Sequence, residues 1–244
     1  EYCTSMGIIN GDGAGKFNPQ GTLTASQTAK MFLTAMGYNA NVFGLVGNDW
    51  ETNTNRYANE AGLYEDLGDV AVSDPISRDN AAQMAYNAIQ ATMMHRSWSQ
   101  DMTTGQITEG YDLWVDGNGA IHTLMNEKFN ADVYTGVMNS ISYVSSSEKY
   151  TYTSTNQYTN NADSSDKEPS FTTTDDYTAL QGEEVSVIIK NERNGDQTVL
   201  GIYSTGKSTV VTAPVSALEA DGSKLKVNGT SYELENGLTT SLAV

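Results

Sequence analysis

The chain has 244 residues, with 13 basic and 30 acidic side chains and a formal net charge of −17. A protein of that charge is repelled by polyanions unless it carries a local basic patch, and the sequence shows none. Nucleic acids and anionic membrane surfaces are therefore poor partners. With 38% hydrophobic and 18% charged residues, the composition is typical of a folded chain and not of a disordered or membrane-spanning one.

The cellular compartment is indicated by cysteine content and by the kind of polar residue used. A single cysteine, Cys3, excludes an intramolecular disulfide. Polarity comes from Thr, Ser, Asn and Gly, which favours a secreted or wall-associated protein of a Gram-positive bacterium, with an acidic cytosolic protein as the alternative. No apolar run approaches the roughly 20 residues of a membrane span. The opening residues are typical of the end of a helix, so we expect that the chain has lost its beginning.

Three helices are predicted in the first part of the chain. Apolar side chains recur at spacings of three and four over residues 24–36, 50–61 and 77–94. Thr24 and Ser77 precede the first and third patterns and are predicted N-caps. Gly37 and Gly62 follow the first and second patterns and are predicted to end those helices.

Beyond residue 110 the pattern changes to short alternating strands. A hairpin is predicted around residues 116–119, with strands over 111–114 and 120–124. Further strands are predicted over 133–144, 150–158, 185–190, 199–204, 208–212, 224–227 and 231–234, with turns at Asn194-Gly195 and Asn228-Gly229. The polar stretch near 159–176 is predicted to be an exposed loop that could contact a partner.

The helical part contains an internal repeat. Residues 23–31 align with residues 76–84 at a constant offset of 53, and Met6-Gly7-Ile8 corresponds to Ala61-Gly62-Leu63. Each unit is a helix, a glycine, an apolar residue, a loop, a hydroxyl cap and a second helix. Such a unit cannot bury its apolar face alone, so the copies are expected to pack against one another.

These residues resemble the S-layer homology (SLH) family. Residues 7–19, with the sequence GIINGDGAGKFNP, match that family's loop, and Trp50 stands where the aromatic residue of the second copy belongs. At the family's Thr-Arg-Ala-Glu motif, the first copy has Thr24-Ala25-Ser26-Gln27 and the second has Ser77-Arg78-Asp79-Asn80, so only the second keeps the arginine. The resemblance covers roughly residues 1–94 and implies binding of pyruvylated secondary cell-wall polysaccharide between repeats.

The resemblance implies that Arg78 is a glycan contact, with Trp50, Ser77, Asn10 and Gly11 as further candidates. A guanidinium can bind a carboxylate at two points, and a helix start offers backbone donors. Trp50 could stack on a sugar ring. Two alternatives stay open: Arg78 as a solvated or salt-bridged side chain, and Trp50 as a core residue.

No catalytic or metal-binding motif emerges. The calcium-like stretches 10–15 and 112–119 lack the full oxygen-ligand series and are better explained as turns. His95 and His122 are far apart and fall in different predicted domains, so a nucleophilic triad is not expected. Asp175-Asp176 and Glu183-Glu184 are interpreted as solvated pairs. We therefore expect no enzyme, no cofactor and no metal.

The sequence predicts an α+β protein with two parts. Residues 1–100 form an SLH-like helical repeat region, with one partial and one complete repeat, and residues 101–244 form an antiparallel all-β domain, sandwich or barrel-like. The expected function is non-enzymatic attachment to secondary cell-wall polysaccharide, with the β-domain making surface contacts. The alternative is a self-assembling S-layer or filament subunit without glycan binding. Because only five of the 13 basic residues precede residue 110, any anion binding must be local.

Overall fold

The structure is a computed structural model that describes residues 2–9, 18–208, 214, 218–221 and 224–233. It is a mixed fold of helices and antiparallel strands, with a curled sheet. The helices are α1 (Tyr2–Ser5), α2 (Ala25–Ala35), α3 (Trp50–Glu60), α4 (Arg78–Gln90) and α5 (Leu124–Phe129), with a 3-10 turn at Thr178–Leu180. The strands are β1 (Met94–Gln100), β2 (Ile107–Leu113), β3 (Ala131–Val137), β4 (Ser140–Val144), β5 (Lys149–Asn160), β6 (Lys167–Thr173), β7 (Glu184–Asn191), β8 (Gln197–Ser204), β9 (Leu218–Asp221), β10 (Lys224–Val227) and β11 (Thr230–Glu233).

The predicted helix caps are confirmed. Thr24 Oγ1 accepts from the backbone N–H of Gln27 at 3.2 Å, and the Gln27 side chain accepts from the Thr24 N–H at 3.1 Å, which makes a capping box. Ser77 Oγ accepts from the Asn80 N–H at 3.1 Å at the start of α4. These bonds satisfy helix-start donors that would otherwise lack partners, so the two helices begin at the residues that the sequence indicates.

Helices α2, α3 and α4 bury one apolar core. Its fully buried members include Leu33 of α2, Met36 just after the end of α2, Met84 of α4, and Leu45 and Leu63 from the adjoining loops. Helix α2 runs antiparallel to α3, because Ser26 bonds Asn55 while Lys30, further along α2, lies over Trp50 at the start of α3.

Equivalent positions of the repeat adopt the same backbone geometry. Gly7 and Gly62 both have a φ of 71°, the left-handed conformation that ends many helices. After each glycine the next N–H bonds back into the helix, from Ile8 to the Cys3 carbonyl at 2.9 Å and from Leu63 to the Ala58 carbonyl at 2.8 Å. The two cap segments also touch, since the Ile76 N–H donates to the Leu23 carbonyl at 2.9 Å.

The hairpin predicted around residues 116–119 is only partly correct, since residues 111–113 belong to β2 but residues 120–124 form no strand. β2 pairs with the preceding β1 instead. The predicted turn is closed by the bridge between Val115 and Ile121 and by backbone bonds from the Asp116 N–H to the Ala120 carbonyl and from the His122 N–H to the Trp114 carbonyl, both at 2.9 Å. Leu124, predicted to end a strand, opens α5. The third helix ends at Gln90, not at residue 94, because Met94 joins β1 and its N–H donates to the Met36 carbonyl at 2.9 Å.

The large sheet has the strand order β4-β5-β3-β7-β8, and β6 pairs with the other side of β5. The strand predicted over 133–144 is broken at Met138 and Asn139, which lets β4 pair with the first half of β5 and β3 with its end. β5 itself carries a register shift between Thr153 and Tyr158. The curl encloses a second core made of Tyr134, Met138, Tyr152, Tyr158, Phe171, Val185, Val187, Ile189 and Ile202.

The exposed loop predicted near 159–176 is only partly correct, since residues 161–166 lie between strands but much of the rest is strand. Residues 167–173 form β6, which pairs with β5, and Phe171 of this strand is buried in the sheet core. Phe171 is the single large apolar residue of this segment, which is too weak a sequence signal to predict a strand. The hydrogen bonds from β5 are what make the segment a strand. The turns at Gly195 and Gly229 are confirmed, with φ angles of 87° and 81°. Most of the strand predicted over 208–212, and residue 234, lie outside the described residues.

Candidate functional site

Arg78 is exposed at the first position of α4. Among the described residues, no carboxylate forms an ion pair with its guanidinium. Its neighbours at the helix start are engaged, since Ser77 caps Asn80 and the Asn80 side chain accepts from the Gly68 N–H at 3.0 Å. Arg78 therefore stands at a well-formed helix start, where the positive end of the helix dipole adds to its charge.

Trp50 is half-buried at the start of α3. Lys30 Nζ lies 5.4 Å from the centroid of the Trp50 ring, a cation–π distance. Burial also lowers the pKa of Lys30. Because α2 and α3 are antiparallel, Trp50 lies beside the later part of α2, whereas Ile76, next to Ser77, is bonded to the residue before Thr24.

The predicted glycan contacts are therefore only partly brought together. Arg78 and Ser77 share one helix start, and Trp50 lies along a different part of α2. Asn10 and Gly11 lie outside the described residues. The alternative that Trp50 is a packing residue fits its half-buried position and its contact with Lys30.

Both histidines meet at Trp114, which sequence reasoning missed. The His122 ring stacks on Trp114 at a centroid distance of 4.2 Å, and the His95 ring lies 5.8 Å from the same indole. His122 Nδ1 is 2.7 Å from Glu127 Oε1. Within the described part of the chain, no serine or cysteine is hydrogen-bonded to either imidazole, and no cluster of metal-ligating side chains occurs. The arrangement joins the segment after β2 to α5.

In each carboxylate pair, one side chain accepts a hydrogen bond from a neighbouring residue. Asp176 accepts from the Thr178 N–H at 2.9 Å, and that backbone bond is the main cause that lowers the pKa of Asp176. Glu184 Oε1 accepts from Thr205 Oγ1 at 2.8 Å at the start of β7. Hydrogen bonds to the charged form favour ionisation, so Asp176 is held as a carboxylate.

A groove of about 700 Å³ lies between the end of α3, α4 and the β1–β2 hairpin. Aromatic rings and carboxylates line it together, the rings being Tyr38, Phe43, Tyr57 and Tyr86 and the carboxylates Glu60, Glu65 and Asp66. These residues come from separate segments and follow no motif. No spacing in the sequence could have indicated the groove.

Comparison with known protein families, with curated proteins and with solved structures finds no match to this chain. Across the described residues, no helix combines the length and the apolar character that crossing a bilayer requires.

Proposed function

We propose that the protein is a non-enzymatic extracellular protein of the Gram-positive wall or surface layer, whose helical region attaches to secondary cell-wall polysaccharide through Arg78. The observation that carries the proposal is the exposed Arg78 guanidinium, without an ion pair to any described residue, at the capped start of α4. The likeness of residues 1–94 to SLH repeats supports it. The β-domain would make contacts at the cell surface.

The chemistry of this site suits a carboxylate on a sugar. Arg78 can bind such a carboxylate with two parallel N–H donors, and the helix start adds partial positive charge. The acidic residues Asp74 and Asp79 lie nearby in the sequence and weaken the attraction. Binding is therefore expected to be local, to rest on few contacts and to weaken with salt.

The test is retention of the protein on purified wall polysaccharide. Arg78→Ala should reduce affinity about tenfold, the loss expected for one charge-assisted pair. Lys149→Ala removes an exposed positive charge at the start of β5 and serves as the matched control. Equal retention of the wild type and Arg78→Ala, or no retention of either, would contradict the proposal.

A second candidate is a self-assembling S-layer or filament subunit that binds no glycan. It is favoured by one observation, the apolar side chains exposed near the tip of the β1–β2 hairpin. Trp98, Met102 and Ile107 are 62%, 92% and 64% exposed. Exposed apolar clusters of this kind often mark contacts between proteins.

A further inference from the structure

We propose that the groove between α3, α4 and the β1–β2 hairpin binds an organic ammonium group, such as that of a small polyamine or an amino sugar. It is separate from Arg78 and does not depend on the proposed attachment to wall polysaccharide. A volume of about 700 Å³ falls in the range of small-molecule sites. The proposal rests on how its aromatic and acidic groups are arranged.

One wall of the groove is a packed aromatic cluster. Phe43 lies 5.0 Å from both Tyr38 and Tyr57, measured between ring centroids, and 5.9 Å from Tyr111 of β2. The Asn39 side chain donates to the Tyr111 hydroxyl at 3.0 Å, which holds the hairpin against this cluster. Aromatic faces in such a rigid wall attract a cation and also contact its apolar stem.

The chain already places a cation on this cluster. The Arg56 guanidinium carbon lies 4.2 Å from the centroid of the Tyr57 ring. Arg56 itself is exposed, so its contact shows that Tyr57 can accept a positive group at its face.

Among the described residues that line the groove, three are carboxylates, Glu60, Glu65 and Asp66. Burial, and then the nearby charge of Glu60, raise the pKa of Tyr38, so the Glu60 carboxylate acts on the groove wall. The turn that carries Glu65 and Asp66 is fixed to α4, because Asn87 Nδ2 donates to the Glu65 carbonyl at 2.7 Å. Within the described residues, none of these three carboxylates forms an ion pair.

The net charge of the groove selects the sign of the ligand. Among the described residues that line the groove, Lys207 is the one positive side chain against three negative ones, and Arg56 adds a second positive charge beside it over Tyr57. The remaining excess of negative charge disfavours an anion here, whereas an ammonium group gains both ion pairing and cation–π attraction. Wall polysaccharide carboxylates and ammonium ligands are thus assigned to different places on the molecule.

Isothermal titration at low salt would test the groove with two probes, diaminopentane and a glucosamine tetramer. Pentanediol and the N-acetylated tetramer are the uncharged counterparts. Both ammonium probes share the chemistry of the site, and binding of one alone identifies the source of the ligand. We expect saturable binding of at least one ammonium probe, about tenfold tighter than its uncharged counterpart.

The triple variant Glu60→Gln, Glu65→Gln and Asp66→Asn should weaken that binding by about tenfold or more. Asn tolerates the left-handed backbone that Asp66 adopts, with a φ of 57°, so this substitution preserves the turn. Neutralising three carboxylates outside the groove, through Glu148→Gln, Glu168→Gln and Asp175→Asn, changes the net charge equally and should leave binding intact.

Three results would overturn the proposal. They are no saturable binding of either ammonium probe, equal binding of the uncharged counterparts, and unchanged binding by the groove variant. Arg78→Ala should bind the probes like the wild type. Failure of the groove is therefore distinguishable from failure of polysaccharide attachment.

Discussion

Tyr134 and Tyr158 are both buried in the sheet core, yet their hydroxyl groups differ. The Tyr134 hydroxyl donates to Asp166, which also accepts from the Asn160 side chain at 2.9 Å. The Tyr158 hydroxyl has no hydrogen-bond partner among the described residues. A buried polar group without a partner costs free energy, so the two tyrosines should respond in opposite directions to loss of the hydroxyl.

Tyr158→Phe should raise the free energy of unfolding by about 1 kcal/mol, because it removes an unpaired buried hydroxyl and keeps the ring. Tyr134→Phe is the matched comparison and should lower it by about 1 kcal/mol, since Asp166 loses a donor. Urea unfolding followed by circular dichroism measures both. A destabilised Tyr158→Phe would show that this hydroxyl has a partner.

Tyr158→Phe should also change how the free energy of unfolding depends on pH in the alkaline range. Burial raises the pKa of Tyr158 to about 12, as it does for Tyr64. Between pH about 10 and 12 the unfolded tyrosine ionises while the folded one stays neutral, so stability is lost as the pH rises. Tyr158→Phe should lose less stability over this range than the wild type. Part of the pH dependence of stability should remain in this variant, because Tyr64 is still present.

At the scale of elements, the pairing of β3 with β5 depends on a close approach at Gly136. A methyl group at Gly136 would lie 3.0 Å from the Gln157 carbonyl oxygen and 2.9 Å from Cδ1 of Tyr158. Gln157, with a φ of 63°, lies in the irregular part of β5, between the two stretches that pair with β6. The absence of a side chain at Gly136 therefore leaves room for the irregular segment of β5.

Gly136→Ala should destabilise the protein by about 2 kcal/mol, because the sheet has to move apart to admit the methyl group. Gly117→Ala is the control, since its added methyl group meets no atom of the described residues within 4 Å. Thermal unfolding compares the two. Equal melting temperatures for both variants would contradict the close approach.

At the scale of the whole molecule, any self-assembly would depend on surfaces outside both cores. Trp98 and Ile107 lie on the face of the hairpin that also carries Tyr111, which packs against Phe43 nearer the helices. On this face, the side chains near the helices are packed and those near the hairpin tip are exposed. A net charge of −17 opposes association, so any self-assembly needs an apolar contact of this kind.

If the protein assembles, the oligomer should grow with concentration in light scattering after size exclusion, and Trp98→Thr with Ile107→Thr should reduce it severalfold. Threonine preserves strand propensity in the hairpin. Leu200→Thr, at an apolar residue that is 55% exposed on β8, is the control. A monomer at every concentration would exclude the subunit alternative.

Features governed by neighbours along the chain could be read from the sequence. The caps at Thr24 and Ser77 act on N–H groups three residues away, and the glycine turns need only local backbone freedom. The net charge likewise follows from composition. Of the candidate site, Arg78 and Ser77 were correctly expected to share a helix start.

Features governed by distant partners depended on the tertiary structure. β6 is a strand because β5 offers it hydrogen bonds, and β1 begins where the Met94 N–H bonds the Met36 carbonyl, 58 residues earlier in the chain. The histidine stack on Trp114 and the acidic aromatic groove gather residues from separate segments. The periodicity of a sequence indicates which face of a segment is apolar. Strand pairing and grooves depend instead on which segments meet, and the segments meet only when the cores pack.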